Sequence, residues 1–337
     1  MSPSQSSDLP RKIVVGTAMQ PYWGEYPGLE ARLAQLAALI DRMADEAARR
    51  YDGAGLDVAA LPEVAVNGGL NGVGDEVSFP LDGPVLEALG GAARRHRCYV
   101  VVPMYLTETE LSGGTAGTYS NAAVLLDRDG EIAGIYRKVH AVPVGPRRVM
   151  EGGVLPGSTF PVFDCDFGRL GIQICYDMVY DDGWAALDRK GAELVVWTTQ
   201  SPGQIKASAR AHRHRYFVLT STWRNNASLF DPTGAMIREI SQARGEGPVF
   251  VEQIDLSYVL LGWQPALGNG AAFDEAFGDR AGYRYSEAED GGIFWSNDPA
   301  TPIMDMVRQL KLELPDERIA ADGVLQDVAR GGPPAAE

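Results

Sequence analysis

The sequence predicts an α/β protein whose strands form mixed sheets. Three observations carry this. Strand-like and helix-like segments alternate through the first two-thirds of the chain, and several strand pairs are joined as hairpins by turns containing Gly. The stretch CYVVVPMYL (98–106) is a continuous apolar run of the kind buried on both faces. A purely parallel doubly wound sheet would not hold so many hairpins.

Taken in order, residues 12–18 (KIVVGTA) are rich in β-branched side chains and read as a strand. Residues 28–50 repeat apolar residues at helical spacing and predict a long helix. LDVAAL (56–61) predicts a second strand ending directly at Pro62-Glu63, and a helix over about 84–97 leads into the apolar strand at 98–106. NAAVLLD (121–127), the turn Arg128-Asp129-Gly130 and EIAGIYRKV (131–139) predict a hairpin, with Gly supplying the turn conformation. FPVFDCDF (160–167) and RLGIQICYD (169–177) form a second around Gly168. AELVVWTT (192–199) and YFVLTST (216–222) flank a helix at about 203–214, and ASLFDPTGAMIREI (227–240) is a third hairpin. No linker interrupts residues 11–256, which read as one domain behind a polar tail (1–10). Beyond about 257 the pattern weakens into Gly- and acid-rich sequence with a helix at about 301–312. This 257–337 extension is expected to pack at a subunit interface. Its Trp263, Phe273, Phe277, Phe294 and Trp295 are more aromatic surface than a free tail should expose.

With 337 residues, 45% of them hydrophobic, the chain can bury a large core. Its net charge of −15 leaves no basic surplus to neutralise phosphates, which argues against nucleic acid or an anionic membrane as partner. The N-terminus lacks the apolar stretch of a secretory signal, and no segment approaches the run of about 20 apolar residues that spans a bilayer. Three cysteines, Cys98, Cys165 and Cys175, do not make a disulfide framework, so the expected location is the reducing cytoplasm.

Lone cysteines are most often inert core residues, and Cys98 in an apolar run and Cys165 in a hairpin arm fit that. Cys175 differs because it ends a buried strand, where α/β proteins place reactive groups beside an open loop. Glu63 and Lys138 also stand at strand ends. Singly each reads as a solvated loop residue. Together they supply a proton acceptor, a nucleophile and a cation able to hold a developing oxyanion.

LPE (61–63), YRKVH (136–140) and GIQICYD (171–177) resemble, in order and spacing, the three signature blocks of the nitrilase superfamily of carbon–nitrogen hydrolases. SNAAVLLDRDGEIAGIYRKVH (120–140), PVFDCDFGRLGIQICYD (161–177) and DPTGAMI (231–237) are also close to the family pattern, so the resemblance covers roughly residues 11–256. It implies a four-layer α-β-β-α sandwich, a homodimer or higher homo-oligomer, and no metal or organic cofactor. It also implies Cys175 as nucleophile, Glu63 as general base, Lys138 as oxyanion stabiliser and the backbone N–H of Tyr176 as a second oxyanion donor. A small-molecule amide or N-carbamoyl compound and water would be the substrates, with a nitrile as the alternative. By its charge Lys138 would lower the pKa of Cys175.

Many members carry a further glutamate several residues after the lysine; here Pro146 and Arg147 stand near that position and Glu151 is the candidate substitute. Tyr119, His140 and Thr199 are further candidates for auxiliary or substrate-positioning roles. Tyr176-Asp177 after the cysteine favours amides, since nitrile hydrolases commonly show Trp-Glu there. The arginines that carbamoyl-amino-acid hydrolases place after the cysteine are absent, and Asp181 and Asp182 would repel an anion if they face the pocket. Arg147, Arg148 and the Arg210–Arg215 cluster could reverse that charge preference. Among rival readings, His212 and His214 sit at helical i,i+2 spacing and point apart, so they do not form a metal pair. A Cys175–His140 dyad leaves Glu63 and Lys138 unexplained, and GGLNGVG (68–74) lacks the Lys-Ser/Thr of a phosphate loop and reads as a flexible loop at the site's mouth. A non-catalytic binding protein on this fold would be marked by a lost triad residue, and none is lost.

Overall fold

The structure is a computed structural model in which residues 9–108, 118–146 and 149–334 are described. Most of the expected N-terminal tail, together with Arg147 and Arg148, lies outside the described residues. The chain divides into two compact units, one running Ile13–Ile254 and the other joining the residues before Ile13 to those from Asp255 onward.

The first unit begins with β1 (Lys12–Ala18), α1 (Leu29–Arg50), β2 (Val58–Ala60), α2 (Gly91–His96), β3 (Tyr99–Thr107), β4 (Tyr119–Leu126) and β5 (Ile132–Arg137). A small hairpin of β6 (Pro143–Val144) and β7 (Val149–Met150) follows, then β8 (Val162–Cys165), β9 (Gly168–Ile174) and α3 (Asp182–Arg189). The unit ends with β10 (Leu194–Thr199), α4 (Gln204–His214), β11 (Phe217–Thr222), β12 (Asn226–Phe230), β13 (Met236–Ser241) and β14 (Val249–Asp255). These strands make two six-stranded sheets, ordered β14-β1-β2-β3-β4-β5 and β13-β12-β11-β10-β9-β8. Strands β1, β2 and β3 run parallel, as do β9, β10 and β11, while the predicted hairpins pair antiparallel at the flanks.

Small side chains let the sheets meet. Thr17 Oγ1 donates to the Thr220 carbonyl at 2.8 Å, and Ser221 Oγ lies 2.9 Å from Ala18 O and 3.1 Å from Ala60 O. On the outer side of the first sheet, α1 buries Leu33, Leu36, Ile40, Met43 and Ala47, one stripe at helical period, against Val14, Val100, Val102 and Val124. Each of the leucine, isoleucine, methionine and valine side chains contributes about 1.5–3 kcal/mol by leaving water. Trp184 and Leu187 of α3 and Ala207 and Ala211 of α4 cover Val195 and Val218 of the second sheet in the same way. The result is the α-β-β-α sandwich.

The helix expected over about 84–97 is present, with π-type turns at Leu86–Gly90 leading into α2. Gly90 and Gly130 pass so closely there that a Cβ on Gly130 would stand 2.3 Å from Gly90 O. Beyond residue 257 the chain is more ordered than its pattern suggests. Strands β15 (Tyr258–Gly262), β16 (Ala281–Ser286) and β17 (Gly291–Ser296) form an antiparallel sheet, joined by α5 (Ala271–Phe277), α6 (Ile303–Gln309) and α7 (Pro315–Arg330). The strand signal is masked because Gly282 lies under the Trp295 indole, where a Cβ would come within 2.4 Å of the ring nitrogen. Phe273, Phe277 and Phe294 are buried with Val259, Leu261, Ile303 and Met306 in this unit's own core, so they are not surface for a partner. Residues before Ile13 belong to the same unit: Leu256 N donates to Arg11 O at 3.0 Å and Ser257 Oγ to Leu9 O at 2.8 Å.

Candidate active site

The ends of the central strands bring the chemistry together. Ile174 pairs with Thr198, so Cys175 follows beside Thr199, and Thr199 in turn pairs with Thr222. In the first sheet Tyr105 pairs with Asn121, and Lys138 N donates to Asn121 O at 2.8 Å, which sets Tyr105, Asn121 and Lys138 abreast.

Cys175 opens a short 3-10 turn, Cys175–Val179, with φ +43°, a conformation that side-chain-bearing residues seldom take. Such a strained strand-to-turn corner pushes the side chain out from the strand. What holds it is Asp177, fully buried, whose carboxylate accepts from Ile174 N at 2.9 Å and the Tyr136 hydroxyl at 2.7 Å. It also accepts from His140 N at 2.9 Å, with His140 Nδ1 at 3.0 Å. Tyr136 and His140 flank Lys138, so Asp177 ties the cysteine corner to the lysine strand. Trp197 Nε1 adds a bond to Cys175 O at 3.1 Å. Asp177→Ala is therefore expected to orphan buried donors at about 1–3 kcal/mol each, lowering the urea midpoint and turnover together. An unchanged midpoint would remove this bracing role.

Glu63 and Lys138 are each only 2% exposed and lie 3.0 Å apart, Oε1 to Nζ. The ammonium also pairs with Glu151, which accepts from Val142 N at 3.0 Å. Asn121 Nδ2 stands 2.9 Å from Glu63 Oε1 and 2.9 Å from Glu151 Oε2, and Gln200 N donates to Glu63 Oε2 at 3.1 Å. The Glu63 backbone is fixed as well: Trp223 Nε1 donates to its carbonyl at 2.7 Å, and the buried Arg32 of α1 holds Ala65 O at 2.8 Å. Cys175 follows β9 beside Thr199, and its thiol lies within the electrostatic reach of Glu63 and Lys138.

Burial pushes the Cys175 thiol up to about 12, Glu63 adds to this, and the Lys138 charge pulls it down without cancelling it. The expected lowering by the Lys138 charge is there, and burial outweighs it. For Lys138, burial acts downward, but Glu63, the cysteine and Glu151 outweigh it and hold the ammonium above its ordinary range. Burial likewise pushes Cys98 and Cys165 up to about 12, so the thiol pKa does not by itself set Cys175 apart.

The other candidates separate. Glu151, at φ +41°, is a direct partner of Lys138. Thr199 lies at the thiol, and its hydroxyl donates to Ser201 O at 3.0 Å. Tyr119 stands edge-on to Tyr105 at 5.6 Å and packs among Val77, Ala141 and Val154. His140 directs Nδ1 to Asp177 and Nε2 to Asp182 at 3.3 Å, with its ring stacked 3.9 Å from that of Tyr180, so it braces the corner and offers no free nitrogen for a dyad. The hydrogen bond to Asp177 holds its pKa above the ordinary range, burial opposing.

Asp181 is paired with Arg210 and Arg213, and Asp182 with His140, so neither stands as an uncompensated charge against an anion. Arg210 also binds the carbonyls of Met178 and Tyr180 and braces the chain after the corner. His212 and His214 turn to different partners, Thr233 O and Asp188. Among the described residues no group of three or more His, Cys, Asp or Glu could hold a metal ion. The loop at 68–74 is pinned at its base, where Asn67 donates to Val77 O at 2.7 Å and accepts from Tyr105 N at 2.7 Å. Sequence reasoning missed Asn121, Tyr105 and the bracing role of Asp177, although the strand alternation that puts Asn121 on the face of Tyr119 was available.

A cysteine, a buried carboxylate and a buried ammonium on an α-β-β-α sandwich define a centre suited to acyl chemistry at carbon. The comparisons agree. The profile of the family Carbon-nitrogen hydrolase matches residues 18–260, and the chain belongs to that family. It is 35% identical over 101 residues to an N-carbamoylputrescine amidase of Arabidopsis thaliana, covering 30% of this chain and 32% of that protein. It is 28% identical over 201 residues to a formamidase of Pseudomonas syringae, covering 59% and 55% respectively. The crystal structure of Saccharomyces cerevisiae Nit3, a member of branch 10 of the nitrilase superfamily, superposes with a TM-score of 0.57 at 20% identity, covering 81% of this chain and 97% of that one. Among the first curated relatives, the chain spans between 32% and 63% of their length.

Proposed function

We propose that the protein hydrolyses a primary amide or N-carbamoyl compound through a thioester on Cys175. The observation that carries this is the nearly dry Glu63–Lys138 pair, 3.0 Å apart and each 2% exposed, whose charges both act on the Cys175 thiol. With burial holding the thiol above its ordinary range, attack and proton transfer go together. Glu63 takes the thiol proton as sulfur bonds to the carbonyl carbon, and the oxygen becomes an oxyanion beside the Lys138 ammonium and the Tyr176 N–H. Collapse breaks the C–N bond, and Glu63 returns the proton to the departing nitrogen. Glu63 then takes a proton from water, the hydroxide attacks the thioester, and the thiol leaves with that proton. Glu151 keeps Lys138 charged and fixed throughout.

The amide and carbamoyl relatives support the amide reading over the nitrile alternative. The test is a series sharing one acyl group as nitrile, primary amide and N-carbamoyl amine, each with and without a carboxylate, followed by ammonia release. The amide or carbamoyl member is expected to give the highest kcat/KM. A best value on the nitrile, or preference for carboxylated members of about tenfold or more (about 1.4 kcal/mol), would overturn it.

Assembly as a homodimer or larger belongs to the same proposal. Support for it comes from α7, which buries no side chain and leaves Ile319, Val324, Leu325 and Val328 exposed. Among the described residues no helix is long and apolar enough to cross a membrane.

A further inference from the structure

We infer that Asn121 is a positioning residue for the base, holding Glu63 and Glu151 as two separate acceptors on either side of Lys138; the inference rests on the reading of Glu63 as the base. Asn121 is 1% exposed and sits on β4 between Tyr105 and Lys138. Its single amide nitrogen lies 2.9 Å from Glu63 Oε1 and 2.9 Å from Glu151 Oε2, one proton for each carboxylate. The orientation is forced, because both neighbours accept and an amide oxygen turned toward them would be repelled. Its own oxygen is consequently buried without a partner. A buried amide that leaves its acceptor unused is a poor choice for packing, and what it supplies here is two donors.

Those donors matter because the cluster holds two carboxylates against one ammonium. Lys138 reaches Oε1 of both, and Val142 N and Gln200 N complete the set. Without Asn121, Glu63 Oε1 loses one of its two donors and Glu151 Oε2 its donor. Like charges this close then favour sharing a proton, and a proton shared with Glu151 cannot be taken from the thiol.

Two variants separate this from a packing role. Asn121→Leu removes both donors at similar volume. Asn121→Asp keeps the shape but, when ionised, places a third carboxylate beside Glu63, Glu151, Lys138, Tyr105 and Cys175; when protonated it regains one donor. Lowering the pH therefore restores a donor to Asn121→Asp and never to Asn121→Leu. The experiment measures kcat and KM from pH about 8 to about 5.5 for wild type, both variants and Glu63→Gln, with circular dichroism to confirm folding. Asn121→Leu is expected to lose about 10²-fold in kcat with KM changed less than about twofold. The ratio of Asn121→Asp to wild-type kcat is expected to rise as pH falls, while the Asn121→Leu ratio stays flat. If Asn121→Leu does not fold, the Asn121→Asp ratio alone decides. Wild-type kcat in both variants, or a flat Asn121→Asp ratio, overturns the inference while an inactive Glu63→Gln leaves the base assignment standing. An active Glu63→Gln overturns both.

Discussion

Cys175→Ala is expected to abolish turnover and leave a folded protein. The corner at Cys175 is held by neighbours rather than by the thiol: Asp177 caps it, and Trp197 binds its carbonyl. Alanine keeps the Cβ at φ +43°, so no new backbone strain appears. Loss of the half-buried sulfur should change stability by no more than about 1 kcal/mol, whereas loss of the nucleophile removes the covalent route and costs about 10⁴-fold or more in kcat. Ammonia release and a urea melt check both parts. Mass spectrometry of wild-type protein quenched during turnover should find the acyl group on the Cys175 peptide; an adduct on Cys98 or Cys165, or turnover by the alanine variant, would sink the assignment. The free thiol gives a second signature. With burial holding it at about 12, its alkylation by iodoacetamide should keep accelerating as pH rises past the ordinary thiol range. A plateau near neutral pH would show that the Lys138 charge outweighs burial after all.

What could be read in the sequence divides along physical lines. Glu63, Lys138 and Cys175 were picked out because each follows a strand inside a block resembling a family signature, and Glu63 and Lys138 do meet although β5, which leads to Lys138, pairs antiparallel and is only partly buried. Glu151 was visible only loosely. It is reached through the β6–β7 hairpin, whose strands are two residues each and leave no periodic trace, and a bond from Glu151 N to Val142 O at 2.8 Å folds it back. Asp177 looked like a marker of substrate class, yet its carboxylate is fully buried and spent on the backbone and on Tyr136. No local pattern tells a solvated aspartate from one that caps a turn against another sheet. The same limit hid α7, which has a proline at its first turn but no buried stripe for periodicity to reveal.

Lys138→Met is expected to be nearly as damaging as loss of the thiol, and for two reasons that can be measured apart. Methionine keeps the length of the side chain but removes the charge proposed to face the oxyanion, a loss of about 10²–10³ in kcat for one donor. It also leaves Glu63 and Glu151 buried with no cation between them, where Lys138 now touches both. Stripping one partner from a buried ion pair costs about 3–5 kcal/mol, so the melting temperature should fall together with the rate. The double variant Lys138→Met, Glu151→Gln separates the effects. Removing one carboxylate relieves the repulsion, and the glutamine amide can donate to Glu63, so stability should largely return. The rate should not, because no neutral amide replaces an ammonium at the developing oxyanion. If turnover recovered in step with the melting temperature, Lys138 would be a structural counter-ion and its part in the chemistry would have to be given up.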